Sequence, residues 1–166
     1  KIKSLNKYNL DKKNSENKIL QIYSKALVIR TNFYCVGNHK RQSFSDIIIN
    51  QIKLRNKISL FKDVYYTPIY GKFLLKYMFK LIEKKESGIF NISSNEKITK
   101  YNFGLKVCDI FRLDKKLIKV SYLKNRKDLV KRPFNMALDN SKLKKKLKIK
   151  LPSIHQQLKV MKRDFR

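Results

Sequence analysis

Apolar residues follow two alternating patterns along this chain: helical spacing inside long charged stretches, and short unbroken runs bounded by polar residues. From about Tyr8 to Ser24, the residues Leu10, Ile19, Leu20, Ile22 and Tyr23 stand among polar neighbours and predict a helix with one apolar side. "ALVIRT" is continuous and rich in β-branched residues, the pattern of a buried parallel strand. "SFSDIIINQIKL" predicts a helix with Ser43 as N-cap and Asp46 in the first turn, where a carboxylate suits the dipole. "KISLF" reads as a short strand, and "DVYYTPIY" turns at Thr67-Pro68. "GKFLLKYMFKLIEKK" is an amphipathic helix that ends before Gly88, and "GIFNIS" is a second buried strand. "TKYNFGLKVCDIF" opens a helix at a Thr99 cap and "LIKVSY" reads as a strand. "SKLKKKL" and "SIHQQLKVMKRDF" close with two helices, the last introduced by Pro152.

Strands separated by helices mean an α/β fold with parallel pairing. The helix between "ALVIRT" and "GIFNIS" supplies a crossover, so these two runs are expected as parallel neighbours with that helix packed on them. At 166 residues and 42% hydrophobic, the chain is long enough for a real core. Cys35 and Cys108 lie far apart, without metal-ligand spacing, and read as reduced thiols of a cytoplasmic protein. His39 and His155 are isolated, so no metal site is expected. No apolar run approaches membrane-spanning length, and the N-terminus has no signal-peptide pattern.

The net charge of +29 invites a nucleic-acid reading. The excess is mostly lysine, however, whereas base and phosphate recognition favours the planar fork of arginine. Lysine rises together with asparagine, isoleucine, tyrosine and phenylalanine, as a coding bias would produce, and it is spread over the whole length. Even the densest run, "KLKKKLKIK", keeps leucines at helical intervals. No specific nucleic-acid partner is expected.

Tyr8 and Lys12 stand four residues apart, the spacing that points both side chains the same way on a helix. Spacing alone decides nothing, since nine tyrosines in so lysine-rich a chain give about two such pairs by chance. The residues downstream of the pair carry more weight. Glu16 falls one turn after Lys12, and a strand ends in Arg30-Thr31-Asn32-Phe33. Thr67-Pro68 precedes a long helix, and Arg132, Pro133, Leu138, Asp139, Asn140, Ser141, Lys142 and Leu143 close the series. In order and spacing, this series resembles the extended short-chain dehydrogenase/reductases, in their dTDP-4-dehydrorhamnose reductase-like branch.

The resemblance implies a partial Rossmann-type parallel sheet, the C-terminal half, plus a small α/β substrate-binding domain. Residues 1–42 would be the residual Rossmann part and residues 43–166 mostly substrate-binding, with some return to the sheet. It implies a reductase or epimerase of nucleotide sugars that reduces a 4-keto sugar with NAD(P)H. Tyr8 would donate a proton to the carbonyl oxygen, and Lys12 would lower the tyrosine pKa and hold the nicotinamide ribose. Thr31 and Asn32 would lie beside the nicotinamide, Phe33 and Thr67 would face the sugar, and Arg132 would meet the nucleotide diphosphate.

Some positions depart from the branch: Phe33 replaces a usual tryptophan, Val64 and Tyr66 replace polar residues or glycine, and Met136 a frequent serine. The chain's four glycines are not clustered, so the glycine-rich turn that cradles a dinucleotide is expected on a missing N-terminal half or a separate chain. The chain alone is then expected to bind NAD(P)H weakly, to be inactive, and to expose "ALVIRT" as an apolar edge. A homodimer is left open. Glu16 reads as structural, Asp63 as a cap of the turn just after it, and Tyr65-Tyr66 as part of a loop lining the sugar pocket. Two other functions remain: a non-catalytic binding member of the same fold, as in the regulatory subunit of methionine adenosyltransferase that this branch resembles, and a basic nucleic-acid binder.

Overall fold

The computed structural model describes residues 7–37, 41–130 and 132–165, with side chains from Leu10 onward. Helix α1 (Lys7–Ile22) leads into strand β1 (Leu27–Thr31) and, after Asn32, into the two-residue strand β2 (Phe33–Tyr34). Helix α2 (Phe44–Lys53), β3 (Ile58–Phe61), β4 (Tyr65–Tyr66) and β5 (Ile69–Tyr70) come next. Then come α3 (Gly71–Glu83), β6 (Gly88–Ile92), β7 (Ile98–Thr99), α4 (Lys100–Phe111) and β8 (Ile118–Ser121), and the chain closes with α5 (Ser141–Leu147) and α6 (Ile154–Asp164).

Among the described residues the strands form four pairs. β1 lies parallel to β6, with Leu27 opposite Gly88 and Thr31 opposite Ile92, as the two apolar runs predict. β2 is parallel to β5, β3 is parallel to β8, and β4 is antiparallel to β7. Gly88 opens β6 at φ +81°, a left-handed turn out of the α3 end that a side chain would strain. Two cores result. Tyr77 and Leu81 of α3, Phe90 and Ile92 of β6, and Leu143 and Leu147 of α5 pack with Ile69 as one. The other gathers α2, α4 and α6 around Phe103, whose ring meets Tyr34 at 5.0 Å, Tyr66 at 5.8 Å and Phe44 at 6.0 Å between centroids.

The caps agree with the sequence signals. Ser43 and Asp46 form a capping box on α2, and the Asp46 carboxylate also accepts from Gly37 N at 2.9 Å, tying the β2–α2 loop to the helix. Thr99 Oγ1 accepts from Asn102 N at 3.1 Å and caps α4. Asp63 differs from expectation. It accepts from Leu123 N and Lys124 N at 2.8 and 3.1 Å, capping a distant 3-10 turn (Leu123–Asn125) rather than the turn just after it. β1 is half-buried along its whole length: among the described residues it is paired only with β6, which leaves the open edge expected of "ALVIRT" rather than the full burial its apolar run suggests. Leu75, Phe79 and Ile82 leave a second apolar stripe of α3 exposed.

The "LDNSKL" segment holds the C-terminal region to the end of β6. The Asn140 amide, buried at the N-cap of α5, donates to Ser93 O and Ser94 O at 3.0 Å and to Asn95 Oδ1 at 3.1 Å. Asn91 Nδ2 donates to Asp139 O at 2.6 Å beside it. Replacing Asn140 with alanine strands buried carbonyls, so Asn140→Ala is expected to lower the unfolding free energy by about 1–3 kcal/mol. Urea denaturation with an unchanged m-value checks this, and a midpoint equal to wild type would contradict it.

Candidate functional site

The β1–β6 pair ends at a common edge, with Thr31 opposite Ile92, and most of the predicted site residues lie around that edge. The Thr31 hydroxyl oxygen is buried and, among the described residues, has no hydrogen-bond partner, an unusual state for a polar atom at a strand's carboxyl end. Asn32 is engaged structurally: its carbonyl accepts from Ile69 N at 2.9 Å and its amide donates to Met136 O at 2.9 Å. Phe33 begins β2 and is 58% exposed. Thr67 is buried, and its hydroxyl oxygen accepts from Leu138 N at 3.1 Å. Backbone bonds of Tyr65 to Phe134 O and Met136 N lay the stretch after Arg132 along β4. Asn32 and Thr67 are therefore both tied to the segment from Phe134 to Leu138, with Phe33 next to Asn32 in the chain. Arg132 itself is exposed, upstream of that contact.

Helix α1 is fastened to this edge by a fork. Arg30 Nε and Nη2 donate to the two Glu16 carboxylate oxygens at 2.9 and 2.5 Å, both side chains half-buried. The carboxylate in turn holds the Arg30 pKa above its ordinary value. Glu16 is thus structural, one helical turn after Lys12, which is exposed on α1. Tyr8 lies in the first turn of α1, but its side chain is outside the described residues, as is His39. His155 is exposed on α6, and among the described residues no cluster of His, Cys, Asp or Glu could hold a metal ion. Nor is any described helix long and apolar enough to cross a membrane.

Next to Phe33 an open depression of about 460 Å³ is lined by Phe33, Cys35, Gly37, Arg41, Ser43 and Phe44, among others. The Ser43 hydroxyl donates to Cys35 O, and Asp46 holds Gly37, so the floor of the depression is fixed by the α2 cap. Behind Phe44 sits a residue that sequence reasoning missed. Lys100 Nζ lies 4.3 Å from the Phe44 ring centroid and 3.8 Å from that of Tyr66. Burial lowers its pKa from 10.5 to about 8. Only its position, a cation directly after a helix cap, could have marked it out among so many lysines. Tyr65, by contrast, is exposed, with Lys97 Nζ 4.8 Å from its ring, while Tyr66 is buried, and the two form strand β4 rather than a loop.

Over residues 1–166 the sequence matches the family model of the RmlD substrate binding domain. The "probable low-salt glycan biosynthesis reductase Agl14" of Haloferax volcanii is 22% identical over 97% of this chain and 55% of its own length. The fold is similar to that of dTDP-4-dehydrorhamnose reductase from Bacillus anthracis, solved in complex with NADP: TM-score 0.86 and 19% identity, over 99% of this chain and 57% of that one. A hypothetical dTDP-4-dehydrorhamnose reductase from Sulfolobus tokodaii is similar at TM-score 0.72 and 27% identity, over 86% of this chain and 49% of that one. The chain spans about half the length of these relatives.

The fork and the buried lysine each have a measurable consequence. Glu16→Gln removes the charge from the Arg30 fork, and hydrogen exchange in α1 is expected to accelerate while exchange in α4 is unchanged; equal rates in α1 would contradict the fork's role. Lys100 is charged in both the folded and unfolded states below pH 8, where its burial cost is constant. Between its folded pKa of about 8 and the ordinary 10.5 only the unfolded state stays protonated, so its contribution to stability rises with pH. Lys100→Met is therefore expected to be more stable than wild type at pH 7, by a margin that shrinks by pH 10. Urea titrations at the two pH values measure it, and an equal margin at both would contradict the buried-ammonium account.

Proposed function

We propose that this chain, which belongs to the RmlD substrate binding domain family, forms the sugar-nucleotide-binding part of a nicotinamide-dependent reductase or epimerase acting on a nucleotide-linked 4-keto sugar. Residues 1–42 form the part that meets the cofactor, and residues 43–166 mostly form the substrate region. The observation that supports this reading best is the common edge of β1 and β6, where Thr31, its buried hydroxyl without a partner among the described residues, directly follows Arg30, whose fork with Glu16 fastens α1.

A buried hydroxyl without a partner suits a hydrogen bond from a bound cofactor, so Thr31 fits the nicotinamide end of NAD(P)H, beside Asn32. The diphosphate end has no such fit here, because the four glycines are dispersed. A glycine-rich segment, on this polypeptide or another, supplies that part, and without it this chain holds the cofactor weakly. NAD(P)H, when bound, supplies the hydride.

Within that frame Tyr8 is the proton donor to the ketone oxygen. A phenol keeps its proton at neutral pH, and the Lys12 ammonium one helical turn away stabilises the phenolate left behind and contacts the ribose. Phe33 offers its exposed face to the sugar nucleotide. Thr67 shapes the substrate side by holding Leu138, and Arg132 meets the diphosphate as a charge-assisted donor. Two free thiols, Cys35 and Cys108, suit a reducing compartment, and we place the protein in the cytoplasm.

Reconstitution tests the reading. The chain is joined to a compatible cofactor-binding half and assayed for NAD(P)H oxidation with a dTDP-linked 4-keto sugar. Turnover is expected, and Tyr8→Phe is expected to lower kcat by about 10²–10⁴-fold while KM changes little, since the ring stays and only the acidic proton is lost. Lys12→Met is expected to lower kcat and to weaken cofactor binding together. Substrate binding without turnover in the reconstituted wild type would instead mark a non-catalytic binding member of the fold.

A further inference from the structure

Helix α1 sets Tyr8, Lys12 and Glu16 one turn apart from one another. A carboxylate four residues after a lysine lies within reach of its ammonium, and charge pairs at this spacing form on open helix surfaces. Pairing of that kind would draw the Lys12 ammonium toward Glu16 and away from the turn that carries Tyr8. The structure puts a different cation on the carboxylate. Arg30 Nε and Nη2 donate to Glu16 Oε1 and Oε2 at 2.9 and 2.5 Å, so each oxygen has its own guanidinium donor. Only 27% of the Arg30 side chain and 17% of the Glu16 side chain are exposed, whereas Lys12 is exposed on α1. A two-pronged, half-buried fork outcompetes one solvated ammonium for the same oxygens. Lysine ahead of glutamate is also the weaker order for a helix pair. Arg30 reaches this position from β1, where it directly precedes Thr31.

We infer that Arg30 is a positioning residue for the reaction: by holding both oxygens of Glu16 it keeps that carboxylate from capturing Lys12, so that the lysine serves the Tyr8 phenol and the nicotinamide ribose. This rests on the reading of Tyr8 and Lys12 as proton donor and tuner. The role is separable from fastening α1. Fastening fails when either partner of the fork is lost, and it fails as badly when both are. Capture of Lys12 needs a free carboxylate, so it follows loss of Arg30 alone and disappears when Glu16 is neutralised as well. The two roles therefore rank the single and double variants differently.

The first test uses the 166-residue chain with lysines labelled at Cε, the Lys12 signal being assigned by its loss in Lys12→Met. Arg30→Met is expected to move that signal and slow its side-chain motion, as an ion pair with Glu16 forms. The double variant Glu16→Gln/Arg30→Met is expected to return it to the wild-type position. If Arg30→Met does not fold, Arg30→Lys takes its place; it keeps a charge without the fork and is expected to move the signal in the same direction by less. The second test uses the chain joined to a compatible cofactor-binding half. There Arg30→Met is expected to lower kcat and cofactor affinity together, each by about tenfold, and the double variant to recover most of that loss. A Lys12 signal unmoved by the Arg30 variants, or a double variant that turns over no faster than the single one, would overturn the inference and leave the fork as a fastener only. Should the signal move and return while the joined wild type binds substrate without turnover, the hold of Arg30 on Glu16 stands and the catalytic reading of Tyr8 and Lys12 falls.

Discussion

The parallel register of β1 on β6 sets every other position in the site. Because Leu27 meets Gly88 and Thr31 meets Ile92, both strands stop at one edge, and the chain leaves that edge in two directions. From Thr31 it runs through Asn32 into β2, whose pairing with β5 brings Thr67 and Ile69 alongside. From Ile92 it runs through Ser93 and Ser94, whose carbonyls are gripped by Asn140. Slipping the pair by one residue would turn Phe90 and Ile92 out of their core and move both exits together.

Around that edge the energetics divide between apolar burial and a few well-placed polar ties. Two cores carry the burial. The Arg30–Glu16 fork, the Asn140 amide and the Asp46 carboxylate each fix a segment that apolar packing alone would leave free to slide. Against a net charge of +29, exposed ion pairs such as Lys72–Asp164 contribute little in water. Several lysines are instead absorbed locally: Lys142 donates to Ile89 O and Lys162 to Ile110 O. That distribution accords with a charge spread over solvated faces.

Much of this is legible in the sequence where the signal is local or periodic. The "ALVIRT" and "GIFNIS" runs mark the parallel pair, and Ser43, Asp46 and Thr99 the caps, because hydrophobic periodicity and capping act within a few residues. β2, β4, β5 and β7 span two residues each and leave no period to read. The half-burial of β1 depends on how many strands flank it, which an apolar run does not encode. The sequence points Asp63 to its own turn because short-range capping is the commoner use, yet its carboxylate serves Leu123 and Lys124 across the fold. Lys100 is hidden by composition, since only tertiary packing distinguishes a lysine between two rings from a solvated one. Asn32 and Thr67 are legible as members of a site, but not as residues whose polar groups are spent on Met136 and Leu138.

Reception of a nucleotide-linked sugar at the edge carrying Thr31, Phe33 and the adjoining depression is the claim on which the functional reading stands. Amide chemical-shift mapping of the ¹⁵N-labelled chain with dTDP-rhamnose addresses it directly. Saturable shifts confined to residues 31–37, 41–46, 65–67 and the start of α4 are predicted, with the α5 surface silent. Shifts that track the lysine-rich α5 face, or that vanish at moderate salt without saturating, would contradict it and leave only the general attraction of a basic surface for an anion.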